Sequence, residues 1–258
     1  MKIDKATIKY QQRLVVDHDI VFHDLLKTGM NMDKHIISGT AFQRPDHNFQ
    51  PLLRLVKKGS VVYDLGSYIG TFAIPMAIEG MEVYAFEGFP DNYERCKKNT
   101  EPYNVTNYQV AVSNKQYTER TLFRDCQNAA EGHEPREITY VRLDDFVKEK
   151  KIPPPALVKM DIEGMETLAL HGMTNLLENV RPIWSMGYHF KFYTDGDPDG
   201  AEGYPGWVDV KDGGFDFKRF TELGYIIFDE FGRRAPPQIL EIRGGEFTFI
   251  PKEKIKAK

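Results

Sequence analysis

The chain has 258 residues, 41% of them hydrophobic, a net charge of -4 and a pI near 6.0. That length can bury a sizeable α/β core, and the acidic balance argues against a generally basic nucleic-acid-binding surface, so no nucleic acid partner is expected. Cys96 and Cys126 are too few for a disulfide scaffold or a cysteine-rich zinc site, and no apolar run is long enough for a membrane span, so a reducing, cytoplasmic setting is expected.

Residues 1–50 mix charge with scattered apolar positions and end in a polar stretch at 44–48; they are expected to form an extension, read as a helical lid, before a domain over 51–258. From Val61 the pattern predicts a strand, a helix over 71–79, a strand ending at Glu87, a helix over 90–100 and a strand through 108–112. Residues 117–143 suggest a β-hairpin insertion with pieces at 121–123 and 138–141, followed by a helix over 144–150. Pro153, Pro154 and Pro155 then make a rigid linker. A buried strand over 156–160, a helix over 163–177, a strand over 182–186, a further helix and late strands near 225–228 and 247–250 complete the pattern. Alternating strands and helices imply an α/β fold with a mostly parallel sheet and helices on both faces.

The sharpest motif is the run from Val61 through Asp64 and Gly66 to Gly70, an apolar strand that breaks into a glycine-bearing turn. A second short strand ends in Glu87. The glycines allow close backbone approach and positive φ, and an ionised Glu87 offers two oxygens to a ribose diol. A dinucleotide turn needs G-x-G-x-x-G, whereas this turn has fewer glycines and an acid before the first. S-adenosylmethionine (SAM) has no phosphate and carries an amine that an acid can receive, so it is the preferred ligand. The expected cofactor set is Asp64, Gly66, Ser67, Tyr68, Gly70, Glu87 and Val112.

A second cluster, Lys159, Asp161, Glu163 and Glu166, lies at the end of the strand over 156–160, the edge where open α/β sheets bind ligands. A lysine in a buried strand is costly unless paired, so Lys159 is expected to meet one of these acids or the site itself. Glu163 and Glu166 also suit a helix N-terminus. His189 follows the strand over 182–186; a group titrating near neutral pH can accept a substrate proton. Asp195, Asp197, Asp199 and Gly200 have the spacing that opens a calcium loop, but the twelfth position is Gly206 rather than Glu. A mobile acidic lid with Tyr204 and Trp207 stacking on a sugar is the favoured reading of that loop.

Taken together, Asp64-x-Gly66-x-x-x-Gly70, Phe86-Glu87 followed by Pro90-x-Asn92, Leu143-Asp144-Asp145-Phe146, the Lys159-x-Asp161-x-Glu163-Gly164-x-Glu166 block, and Arg181-Pro182 ahead of His189 resemble the FkbM family of SAM-dependent methyltransferases. The resemblance implies a seven-stranded class I methyltransferase fold and O-methylation of hydroxyls on sugars, glycolipids or polyketide-like metabolites, so the expected partner is a small-molecule or glycan hydroxyl acceptor. Members often carry Glu two residues before the histidine, where this chain has Gly187; that role is absent or supplied elsewhere. The expected catalytic set is His189, Asp161, Glu163 and Lys159, with His189 as base and Asp161 orienting it, or Asp161 itself as base. No metal is assigned, although Asp161 and Glu163 could offer hard oxygen ligands. A non-catalytic SAM-binding or scaffold protein and a nucleotide-dependent oxidoreductase are the competing readings. Oligomeric state is left open.

Overall fold

The structure, a computed structural model, describes residues 2–12, 16–26, 34, 36–38, 50–121, 135–189 and 215–255. The chain is α/β with a large, mostly parallel central sheet, and it divides into two compact units: Met1–Val110 with Arg120–Ile138, and Ala111–Glu119 with Thr139–Lys258.

In the first unit, β1 (Lys2–Gln12) and β2 (Val16–Leu26) form an antiparallel hairpin. This corrects the expected helical lid. Ile20 and Phe22 alternate along β2, as a half-buried strand requires, and together with Leu25 they join Ile36, Ile69 and Ile74 in one fully closed apolar cluster. A short helix α1 (Gln50–Leu53) leads to β3 (Val61–Leu65), α2 (Ala73–Ile78), β4 (Glu82–Phe86), α3 (Pro90–Thr100) and β5 (Val105–Tyr108). β4 runs parallel to both β3 and β5. Four of the five β3 residues are buried, as expected of a parallel strand covered on both faces.

In the second unit the expected strand over 108–112 is interrupted. β5 ends at Tyr108, and β6 (Ala111–Val112) lies beside β8 (Arg136–Val141) in a small sheet that also holds β7 (Tyr117–Thr121). Local periodicity cannot say which sheet a short strand joins, because its partners are distant in sequence. The outer piece of the expected hairpin, at Leu122 and Phe123, lies outside the described residues.

The chain continues through α4 (Leu143–Glu149), β9 (Leu157–Met160), α5 (Glu166–Leu170), a π turn (Leu176–Val180), β10 (Ile183–Tyr188), α6 (Lys218–Glu222), β11 (Tyr225–Phe228), β12 (Arg234–Ala235) and β13 (Gly245–Pro251). β9 and β10 are parallel; β13 runs antiparallel to both β10 and β11, and β12 closes the edge beside β11. Among the described residues the central strands are three in the first unit and five in the second, with the two-residue β12 beyond the seven expected. The helix expected over 163–177 starts late and stops early. Glu163 and Gly164 have φ of +52° and +99°, which no α-helix accepts. At Gly172 an added Cβ would lie 2.1 Å from the Ser113 carbonyl oxygen. Phe220 anchors the core of this unit, its ring centroid 4.3 Å from that of Phe249, 5.2 Å from Tyr225 and 6.1 Å from Trp184.

Candidate active site

Two constellations stand at the C-terminal ends of parallel strands, one in each unit. In the first, β3 delivers Asp64 and β4 delivers Glu87, both buried. Glu87 holds the loop between them: Oε2 accepts the Tyr68 N–H at 2.8 Å and Oε1 accepts the Phe89 N–H at 2.9 Å. The Gly66 and Ser67 N–H groups donate to the Phe86 carbonyl at 2.9 and 3.2 Å, and the Gly70 N–H donates to the Ser67 carbonyl at 2.8 Å. Four loop amides are therefore engaged by the protein itself. A pyrophosphate needs such donors aimed outward, so this donor pattern does not fit a dinucleotide.

The pattern fits SAM. An ionised carboxylate has about four acceptor sites, so Glu87 can hold the Tyr68 and Phe89 amides and still receive a ribose diol. Asp64 offers an acid to the amine.

One face of α3 supports this loop residue by residue. The Arg95 guanidinium lies 5.3 Å from the Tyr68 ring centroid. Cys96 Sγ is 3.6 Å from Ser67 Oγ. Asn99 donates from Nδ2 to the Ile69 carbonyl at 2.9 Å. Thr100 Cγ2 is 2.9 Å from where a Cβ on Gly70 would stand. Positions 95, 96, 99 and 100 share a helical face, and they meet loop residues 68, 67, 69 and 70. Gly66 and Gly70 take φ of +79° and +90°, as expected, but Gly70 turns its missing side chain toward α3. Burial pushes the Cys96 thiol pKa well up, so Cys96 is a packing residue. Val112, the remaining expected cofactor residue, is a buried member of β6 in the other unit. Cys126, the 195–200 acidic loop, Tyr204, Gly206 and Trp207 lie outside the described residues.

In the second unit, β9 places Lys159 and Asp161, and the left-handed turn at Glu163 and Gly164 follows. Lys159 Nζ donates to Asp161 Oδ2 at 3.1 Å, the pairing that a buried lysine was expected to need. His189 follows β10 directly. Its Nε2 lies 3.3 Å from Glu163 Oε2 and 3.7 Å from Asp161 Oδ1, while Nδ1 is 2.9 Å from Glu166 Oε1. Glu166 also accepts the Ile162 and Gly164 N–H groups at 3.3 and 3.2 Å. It is fully buried, whereas Asp161, Glu163 and His189 are each about a quarter exposed. The cluster thus has a closed floor and an open face.

Both imidazole nitrogens of His189 face carboxylates, which favours the doubly protonated ring. Burial alone would lower its pKa, but Glu166, followed by Asp161 and Glu163, outweighs that effect and raises it to about 10. At neutral pH His189 is an imidazolium with no lone pair for a substrate proton. The ligand atoms of Asp161, Glu163 and His189 lie within 4.8 Å of one another, close enough for a divalent cation; such an ion would have to displace the Nε2 proton.

Two acids do more than sequence reasoning assigned to them. Glu166, placed in the strand-end cluster but also read as a helix-start residue, orients His189. Glu246 lies opposite Gly187 across the β10–β13 ladder. A Cβ on Gly187 would be 2.9 Å from Glu246 Oε1 and 3.1 Å from Asp161 Oδ1. Gly187 lies outside the positive-φ glycines, so space rather than backbone conformation requires glycine. The neighbouring strand thus brings a carboxylate beside position 187, a placement that only the ladder register reveals.

The sequence profile of the Methyltransferase FkbM domain matches residues 64–226. The chain belongs to the FkbM methyltransferase family. Its cofactor is SAM. Over 137 residues, 50% of this chain, it is 31% identical to the hexuronic acid methyltransferase AglP of Haloferax volcanii, and the match spans 56% of that relative's length. Among solved structures, a methyltransferase FkbM from Methylobacillus flagellatus is similar at 15% identity and a TM-score of 0.48, covering 86% of this chain and 55% of that one. Aeropyrum pernix fibrillarin with bound SAM is similar at 13% identity and a TM-score of 0.40, over 75% and 66% of the two chains. Among the described residues no helix is long and apolar enough to cross a membrane.

Proposed function

We propose that this FkbM-family chain is an O-methyltransferase that transfers the SAM methyl group to a hydroxyl of a sugar or glycan. The observation that carries the reading is the open carboxylate face of Asp161 and Glu163, backed by Lys159 and a His189 clamped by buried Glu166. Carboxylates are natural acceptors for hydroxyl donors, and the relative that shares half of this chain acts on a hexuronic acid.

Bound SAM supplies an electrophilic methyl group on a good leaving group, so what the chain must add is alignment and a place for the proton. Asp64, Ser67, Tyr68 and Glu87 would hold the cofactor. Of the two expected base assignments the site favours Asp161. Its carboxylate receives the hydroxyl proton, Lys159 holds the side chain in place, and the His189 imidazolium offsets the local negative charge and fixes Glu163.

Two measurements test the reading. Calorimetry with SAM and S-adenosylhomocysteine (SAH) on the parent and on Glu87→Ala tests the cofactor site. Transfer of labelled methyl from SAM to neutral hexoses, hexuronic acids and short glycans then tests the acceptor class. Transfer to amines but to no hydroxyl acceptor would overturn the O-methylation reading.

A further inference from the structure

We propose that the N-terminal hairpin is a working part of the cofactor cradle, and that Asn99 is the positioning residue that ties β2 to the glycine loop. The proposal rests on residues 64–70 being the SAM loop.

Asn99 is 2% exposed and uses both ends of its amide. Its Oδ1 accepts the His23 N–H at 2.8 Å, and its Nδ2 donates to the Ile69 carbonyl at 2.9 Å. One side chain therefore bridges two backbone segments remote in sequence. The bridge is closed by apolar packing, since Ile20, Phe22 and Leu25 of β2 share their cluster with Ile69 and Ile74, and Tyr68 packs against it. The exposed Lys98–Asp24 pair, 2.8 Å apart, adds little.

Ile69 stands between two fixed points. Before it, the Tyr68 N–H is held by Glu87; after it, Gly70 is pressed against Thr100. The direction of the Ile69 carbonyl sets the loop between those points, and Asn99 sets that direction. A loop ordered before the ligand arrives loses less conformational freedom on binding. The hairpin thus contributes to SAM affinity without supplying a ligand atom.

Each end of the bridge can be broken alone. Asn99→Asp keeps an acceptor for His23 but turns an oxygen toward the Ile69 carbonyl. His23→Pro removes the N–H and leaves Asn99 intact; that N–H points to Asn99, so proline removes no ladder donor. Phe220→Leu loosens the core of the second unit without touching the hairpin, the bridge or the loop. SAH affinity by calorimetry, amide exchange of the peptide over 66–72 and the melting temperature are read on all three and on the parent. Both bridge variants are expected to bind SAH about tenfold more weakly, the effect of roughly one lost hydrogen bond, with faster exchange over 66–72. Phe220→Leu is expected to lower the melting temperature with affinity near parental. Parental affinity in both bridge variants, or a loss in Phe220→Leu that matches theirs, would overturn the proposal. A folded parent that binds no SAH would instead overturn the cofactor assignment, and the proposal with it.

Discussion

The two constellations are built from different physics. The cradle of the first unit is held by neutral hydrogen bonds, a helix face and left-handed backbone, with Glu87 as its charged anchor. The cluster of the second unit is held by charge, with Asp161, Glu163 and Glu166 gathered around Lys159 and His189. Hydrogen bonds to backbone fix shape at any pH at which the chain is folded. A charge cluster depends on its proton count, so pH and single isosteric substitutions reach it first.

The largest expected effect separates the two regions. Asp161→Asn keeps shape but removes the proposed proton acceptor, so turnover should fall by about 10² to 10⁴ while SAM affinity stays parental; calorimetry paired with a methyl-transfer assay reads both. Loss of SAM binding in that variant would break the comparison. Gly70→Ala acts in the opposite sense. Its Cβ meets Thr100 at a φ of +90°, so it should destabilise the chain by about 2 kcal/mol in denaturant melts and weaken SAM binding.

The pH dependence of stability should sharpen the contrast. His189 is raised from 6.5 in the unfolded chain to about 10 in the folded one. Its contribution is fully present below pH 6.5 and is lost as pH rises through about 10. The parent melting temperature should therefore decline across that window, and the decline should be shallower in His189→Gln, measured by thermal melts from pH 6 to 10. An equally steep decline in the variant would assign the titration elsewhere.

The smallest effect belongs to Gly187→Ala. The added methyl displaces the Glu246 carboxylate at a cost of about 1 kcal/mol. Glu246→Ala in the same chain should restore part of the melting temperature, the contact with Asp161 at 3.1 Å remaining, and a double-mutant cycle reads the restored part as a coupling between positions 187 and 246.

Much of this was legible beforehand. Strand ends carrying Asp64, Glu87 and Asp161 follow from short apolar runs that stop at acids, and Lys159 announces its own partner because a buried ammonium needs one. The hairpin was not legible beforehand, since charged residues interrupt its apolar positions and their partners, Ile69 and Ile74, lie far along the chain. Glu166 was visible but read locally, because an acid at a helix start has a sufficient local explanation. Glu246 carried no signal of its own.

The sequence by itself determined the α/β alternation, the strand-end carboxylates, the glycine loop and the family, because these depend on residue type and spacing along a few adjacent positions. Tertiary structure alone decided the proton state of His189, the pairing of Gly187 with Glu246, and the Asn99 hydrogen bonds that join hairpin and loop. Each of these is a distance between groups remote in sequence, set by which strands and helices pack together, and a histidine pKa or the size allowed at a glycine is fixed by those distances.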